Sequence, residues 1–156
     1  EKNFDDIMIL EYDIYFHKEF KKIYDQYKNL ISNNDIIHLG SSQHKWYDII
    51  TEEKINVRES GNYKYYINSH SLGTFAVIIK KIIYMDYLNF INYVLTKYQY
   101  FPSDVILSIL SRNYKSIVIY PNIIICNLNK SSIVKKNREN HYIKFKWYLK
   151  NYIIDK

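Results

Sequence analysis

Two carboxylates one residue apart, Glu11 and Asp13, close the apolar run Ile7-Met8-Ile9-Leu10. Alternation along a strand sends residues i and i+2 to the same side, so both acids can turn toward one cation. Hard divalent cations take oxygen ligands, commonly one or two carboxylates completed by substrate phosphates. In α/β sheets the carboxyl ends of buried strands open on the binding crevice. The pair also suits a plain solvated strand end, with Asp13 near the start of the next helix. The remaining metal-binding residue types are sparse. The single cysteine, Cys126, sits in the apolar run Ile123-Ile124-Ile125. It can form no intramolecular disulfide and no CxxC zinc site, and it reads as a buried, inert thiol. His38 and His44 read as bystanders, while His141 could bring a third ligand from the tail.

The elements that would position these groups follow from periodicity. A strand is expected at about 6–11. From Tyr15 to Ile31 the residues Phe16, Phe20, Ile23, Tyr24, Tyr27, Leu30 and Ile31 fall on one helical face, and Ser32-Asn33-Asn34 stops the helix. Short strands are expected at 35–40 and 46–50, an exposed loop at 51–62 and an aromatic strand at 63–68. Gly73 to Ile79 reads as a buried strand, followed by a helix over 81–98. Phe101-Pro102-Ser103-Asp104 reads as a helix start with Ser103 as N-cap, running to about Arg112. Asp104 would then be an acidic first-turn residue favoured by the helix dipole. Strands follow at 116–120 and 123–126, and a basic helix is expected over 138–156. Alternating strands and helices define one α/β domain over 1–156, a mixed sheet flanked by helices.

Composition narrows the class. A chain of 156 residues with 47% hydrophobic and 24% charged residues can bury one real core. No apolar run approaches the roughly 18–20 residues that span a bilayer, and the first residues carry no signal-peptide pattern. Glu1 stands where an initiator Met would, as in a piece of a longer protein. The net charge of +6 invites a nucleic-acid reading, but only three of the 22 basic residues are Arg, the preferred fork for phosphates and guanine edges. Heavy use of Ile, Asn, Lys and Tyr matches A/T-rich codons, as in a large DNA virus or a similarly AT-rich source, with a cytoplasmic or viral location. Charge is uneven. Residues 1–104 hold 14 acidic and 12 basic residues, whereas 105–156 hold 2 and 10. An acidic cleft beside a basic tail suits a cation site that also receives an anionic ligand.

Five segments, in order and with matching gaps, resemble one family. Ile9-Leu10-Glu11-Tyr12-Asp13-Ile14-Tyr15-Phe16 is similar to the "ILEDD-hydrophobic-x-F" motif of glycosyltransferase family 25, the lipooligosaccharide and collagen galactosyltransferases. Asp35-Ile36-Ile37-His38-Leu39-Gly40 resembles its "WDIIYLG" strand, Gly73-Thr74-Phe75-Ala76-Val77-Ile78-Ile79 its "GTFAYII" strand, and Pro102-Ser103-Asp104 its "PID" motif. Pro121-Asn122 with Ser131-Ser132-Ile133 resembles its closing stretch. The likeness covers about residues 4–134. It implies a GT-A fold, a nucleotide-sugar donor, a glycan or protein acceptor, and Mn²⁺ or Mg²⁺ held by Glu11 and Asp13. Asp104 becomes the candidate catalytic base, deprotonating the acceptor hydroxyl. His70, Gly73, Thr74, Ser131 and Ser132 become candidate substrate-binding residues.

Two departures stand out. Tyr12 replaces the middle acid of the motif, and family members carry very roughly 80 residues before it, including much of the nucleotide-binding half. These departures define the rival reading, an inactive glycosyltransferase-like domain that binds carbohydrate or a partner. A second rival is a nucleic-acid module built on Lys135, Lys136, Arg138, Lys144, Lys146 and Lys150. In it Phe145, Trp147 and Tyr148 would lie between lysines as in single-strand binders.

Overall fold

A computed structural model describes residues 4–42, 58–60, 63–67, 72–98, 102–129, 142 and 147–154. Among them the chain forms, in order, β1 (Asp6–Leu10), β2 (Ile14–Phe16), α1 (Phe20–Ser32), β3 (Ile36–Ser42), β4 (Arg58–Ser60) and β5 (Tyr63–Ile67). It continues with β6 (Leu72–Lys80), α2 (Lys81–Lys97), α3 (Ser103–Leu110), β7 (Ser116–Ile119) and β8 (Ile124–Cys126). The architecture is mixed α/β. A six-stranded sheet in the order β1-β6-β3-β7-β5-β4 is accompanied by the two-stranded ribbon β2-β8.

β6 runs antiparallel to both β1 and β3, and β3 runs parallel to β7. The carboxyl ends of β1, β3 and β7 therefore meet at one edge of the sheet, together with the amino end of β6. Helices cover both faces. On one face Tyr27 and Ile31 of α1 pack with Ile37, Leu39, Ile78, Ile117 and Ile119. On the other, Ile83 and Val94 of α2 and Ile106, Leu107 and Leu110 of α3 pack with Ile36, Val77 and Ile79. The period-2 split of β3 and β6 between these two clusters is the reason both strands read as continuous apolar runs.

The helix expected from Tyr15 starts later, at Phe20. Ile14 to Phe16 form β2 instead, paired with Ile124 to Cys126 of β8. Ile14 and Phe16 alternate into the core beside Phe20, and this alternation shares Phe16 and Phe20 with the helical stripe, which conceals the strand. β4 lies within the segment expected to be loop. Ser103 is not the N-cap of α3. Pro102 holds that position in an extended conformation, φ −65° and ψ 131°, and supplies no side-chain cap. The proline ring locks φ there, so the non-helical cap residue falls one position earlier.

The ribbon β2-β8 crosses the carboxyl edge of β3. Ile123 N–H donates to Leu39 O at 2.9 Å. A Cβ on Gly40 would lie 2.1 Å from Ile124 O and 2.7 Å from the Phe75 ring, so only glycine admits the crossing. β3 is irregular at this point, with register shifts on either side of Gly40.

The end of the chain braces the ribbon. Trp147 packs edge-to-face on Phe75 at 5.5 Å, Tyr152 O–H donates to Asn122 O at 2.6 Å, and His17 and Tyr152 form a bridge. Within 147–154 the chain makes one 3-10 turn, Leu149–Asn151, rather than the expected continuous helix. A helix would place Tyr148 and Tyr152 on one face, yet Tyr152 is buried and Tyr148 is exposed. Burying both Trp147 and Tyr152 against the ribbon requires the extended path. No described helix is long and apolar enough to cross a membrane.

Candidate functional site

Glu11 continues β1 by one residue, its N–H donating to Phe75 O on β6 at 3.0 Å. The chain then bends through Tyr12 into β2. Asp13 is fixed at the bend because its carbonyl accepts the Asn127 N–H at 2.6 Å, just past β8. These two backbone anchors hold both carboxylates at the carboxyl end of β1. Cys126, the last residue of β8, donates from Sγ to Asp13 Oδ2 at 3.8 Å. Glu11, Asp13 and Cys126 each offer a ligand atom, and these atoms lie within 4.8 Å of one another.

Asp104 reaches the same neighbourhood from α3. Its Oδ2 accepts the Gly73 N–H at 3.0 Å, which ties the first turn of the helix to the amino end of β6. Gly73 has φ 82°, a left-handed conformation that side chains with a Cβ rarely adopt. Glycine at 73 thus lets the N–H turn toward the carboxylate. The charge of Asp104 is felt at Glu11. Burial raises the Glu11 pKa above its ordinary value, and the neighbouring charges of Asp13 and then Asp104 raise it further. Crowded, partly desolvated carboxylates of this kind favour a proton or a cation between them.

The thiol behaves differently. Burial, followed by the charges of Asp13 and Glu11, pushes Cys126 up to about 12. It stays protonated at neutral pH, and a thiol is a poor ligand where a thiolate is a good one. In the metal-free protein the group therefore presents its carboxylate oxygens, the donor type that hard divalent cations take.

The structure thus places two of the expected site residues, Asp13 and Asp104, within electrostatic reach of a third, Glu11. Gly73 contributes its backbone N–H, and Thr74 is the next residue of β6. His70, Ser131 and Ser132, and His44 and His141, lie outside the described residues, as does the strand expected at 46–50. His38 is fully buried in the sheet. Cys126 is half-buried and belongs to the acidic group, a placement that the apolar run around it hides. The pairing of Ile14 with Cys126 brings it there, and no local signal announces a long-range ribbon.

Tyr12, which lies between the two acids in sequence, is 91% exposed. Trp147 is 3% exposed and packs inward, so its ring is not available to stack on a nucleic-acid base. An open groove of about 420 Å³ lies along Lys18, Lys150, Tyr152 and Ile153, shares no residue with the carboxylate group and contains no acid. Comparison with protein-family profiles, curated proteins and solved structures finds no match to this chain.

Proposed function

We propose that the chain carries the metal- and acceptor-binding half of a glycosyltransferase related to family 25, transferring a hexose from a nucleoside-diphosphate sugar to a hydroxyl. One observation carries this reading. Carboxylates distant in sequence, Glu11 and Asp13 at the end of β1 and Asp104 at the start of α3, converge at the carboxyl edge of the sheet. Glu11 and Asp13 would hold Mn²⁺ or Mg²⁺, and their oxygen donors fit either ion. Such an ion supplies positive charge against the diphosphate that departs.

Asp104 acts on the acceptor. The Gly73 N–H fixes Oδ2, which orients the carboxylate and leaves Oδ1 for the acceptor proton. As the hydroxyl oxygen attacks the anomeric carbon, its proton passes to Oδ1 and the sugar–phosphate bond breaks. Catalysis of this kind depends on holding base and hydroxyl in line, and the tie between α3 and β6 supplies that rigidity.

A second reading is favoured by Tyr12. An exposed aromatic ring flanked by two acids is a ready stacking surface for a sugar ring, and it stands where the family motif has a carboxylate. The domain would then bind carbohydrate without transferring it. Release of nucleoside diphosphate from a UDP-hexose in the presence of Mn²⁺ separates the two. The transferase reading predicts release that falls 100-fold or more in Asp104→Asn while donor binding persists. Sugar binding without release, abolished by Tyr12→Ala, would replace it with the binding reading.

A further inference from the structure

Residues 127–129, just past β8, commit every backbone donor they have. Asn127 N–H donates to Asp13 O at 2.6 Å. Leu128 N–H donates to the Tyr142 hydroxyl at 3.0 Å. Asn129 N–H donates to Asn127 Oδ1 at 3.0 Å, an Asx turn that closes the segment on itself. Of these consecutive amides, one holds the bend that carries Asp13, and its neighbour is held by a side chain 14 residues further along the chain.

The same part of the tail stands behind the other carboxylate. Glu11 is anchored through the Phe75 carbonyl, and the Phe75 ring meets Trp147 edge-to-face. Trp147 is tied to Tyr142 twice. Its N–H donates to Tyr142 O at 2.9 Å, and the two rings lie 6.2 Å apart. Tyr142 and Trp147 are both buried, and Leu128 packs in the same cluster. The ring of Tyr142 is therefore fixed by packing, and its oxygen is delivered to an amide that is buried with Leu128.

We propose that Tyr142 is a positioning residue for the cation site, holding Asp13 in place through the 127–129 turn; the inference rests on the reading of Glu11 and Asp13 as cation ligands. A buried N–H left without an acceptor is costly, so with the hydroxyl gone the turn rotates Leu128 N–H toward water. The adjoining Asn127 N–H moves with it and releases Asp13 O. Metal ligands depend on such outer partners for their orientation, and losing one lowers metal affinity by about tenfold or more. Packing is a separate matter, because a phenylalanine fills the same space and loses only the oxygen. Tyr152 supplies the contrast. Its hydroxyl also braces the ribbon, but at Asn122 O, at the opposite end of β8 from the Asp13 bend.

Titration of the full chain with Mn²⁺, the free ion read by electron paramagnetic resonance, tests this in wild type, Tyr142→Phe and Tyr152→Phe. Tyr142→Phe is expected to weaken Mn²⁺ binding about tenfold and to speed amide hydrogen exchange at Asn127 and Leu128. Tyr152→Phe is expected to lower the unfolding temperature and leave Mn²⁺ affinity unchanged. Circular dichroism confirms that each variant is folded at the temperature of the titration. If Tyr142→Phe is not, Asn127→Ala decides, because it opens the same turn. It is expected to weaken binding likewise, and Asn127→Ser, whose hydroxyl can close the turn, to restore it. Equal weakening by the two tyrosine variants, or Mn²⁺ binding that the deciding variant leaves unchanged, overturns the proposal and leaves the carboxylate site standing. A folded wild type that binds no Mn²⁺ overturns both.

Discussion

Two of the places where ionisable groups enter this fold are handled in opposite ways. His38 lies in the middle of β3, between Val77 and Val118. It is fully buried, and neither ring nitrogen has a hydrogen-bond partner. Burial alone pushes it down to about 4, so it stays neutral and serves as packing volume. The carboxylates of Glu11 and Asp13 at the end of β1, with Asp104 at the start of α3, are not fully buried and remain near one another. Mid-sheet, a charge is excluded. At the carboxyl edge, like charges are held near one another, an arrangement that costs stability and that the proposed cation would relieve.

The largest effect is expected at Gly40, which lies between the two regions. Gly40→Ala forces a methyl group against Ile124 O, backbone that cannot move aside without breaking the ribbon from the sheet. Destabilisation of about 3 kcal/mol or more is expected, read by urea unfolding. A near-neutral result would show that the ribbon is not locked over β3, and the anchoring of Asp13 would lose its basis.

Next comes His38. The unfolded chain takes up the proton near pH 6.5, while the folded chain resists until about 4. Stability is therefore intact above about pH 6.5 and is lost as pH falls toward 4, by up to about 3 kcal/mol. His38→Leu should remove that part of the acid sensitivity, measured as unfolding midpoints between pH 7 and 4. An unchanged acid profile in the variant would place the sensitivity elsewhere.

The smallest effect has the opposite sign. Glu11→Gln removes a charge that burial disfavours most and that Asp13 and then Asp104 repel, so the metal-free protein should gain stability at neutral pH. Solvent screening keeps the gain under about 1 kcal/mol. Protonating Glu11 by acid removes the same unfavourable charge, so this group alone contributes in the direction opposite to His38. Thermal unfolding of wild type and variant with chelator present checks the sign. A loss of stability would show Glu11 to be a structural acid satisfied by its surroundings.

Much of this was legible before the fold was known. The buried strands at 36–42 and 72–80, the helices at 81–97 and 103–110 and the single α/β layer structure follow from apolar runs and their periods. The acids at 11 and 13 announce themselves by spacing and by the strand that ends at them. β2 was hidden because Phe16 satisfies a helical stripe as well as a strand pairing. Cys126 has core neighbours on its apolar run, and only the antiparallel register with Ile14 turns it toward Asp13. Over 147–154 the positions Tyr148, Leu149 and Tyr152 imitate a helical stripe, while Trp147 and Tyr152 are the residues that pack. The proximity of Asp104 to Glu11 is a property of the β6–α3 tie through Gly73, which no local pattern encodes.

The central claim is that the carboxyl edge of the sheet receives a divalent cation together with a nucleotide sugar. Calorimetric titration of UDP-galactose and UDP-glucose into the protein, with and without Mn²⁺, tests it most directly in wild type and Asp13→Ala. The account predicts binding that requires Mn²⁺ and disappears in the variant. Binding that is indifferent to Mn²⁺ and to Asp13, or no binding by folded protein, would contradict it.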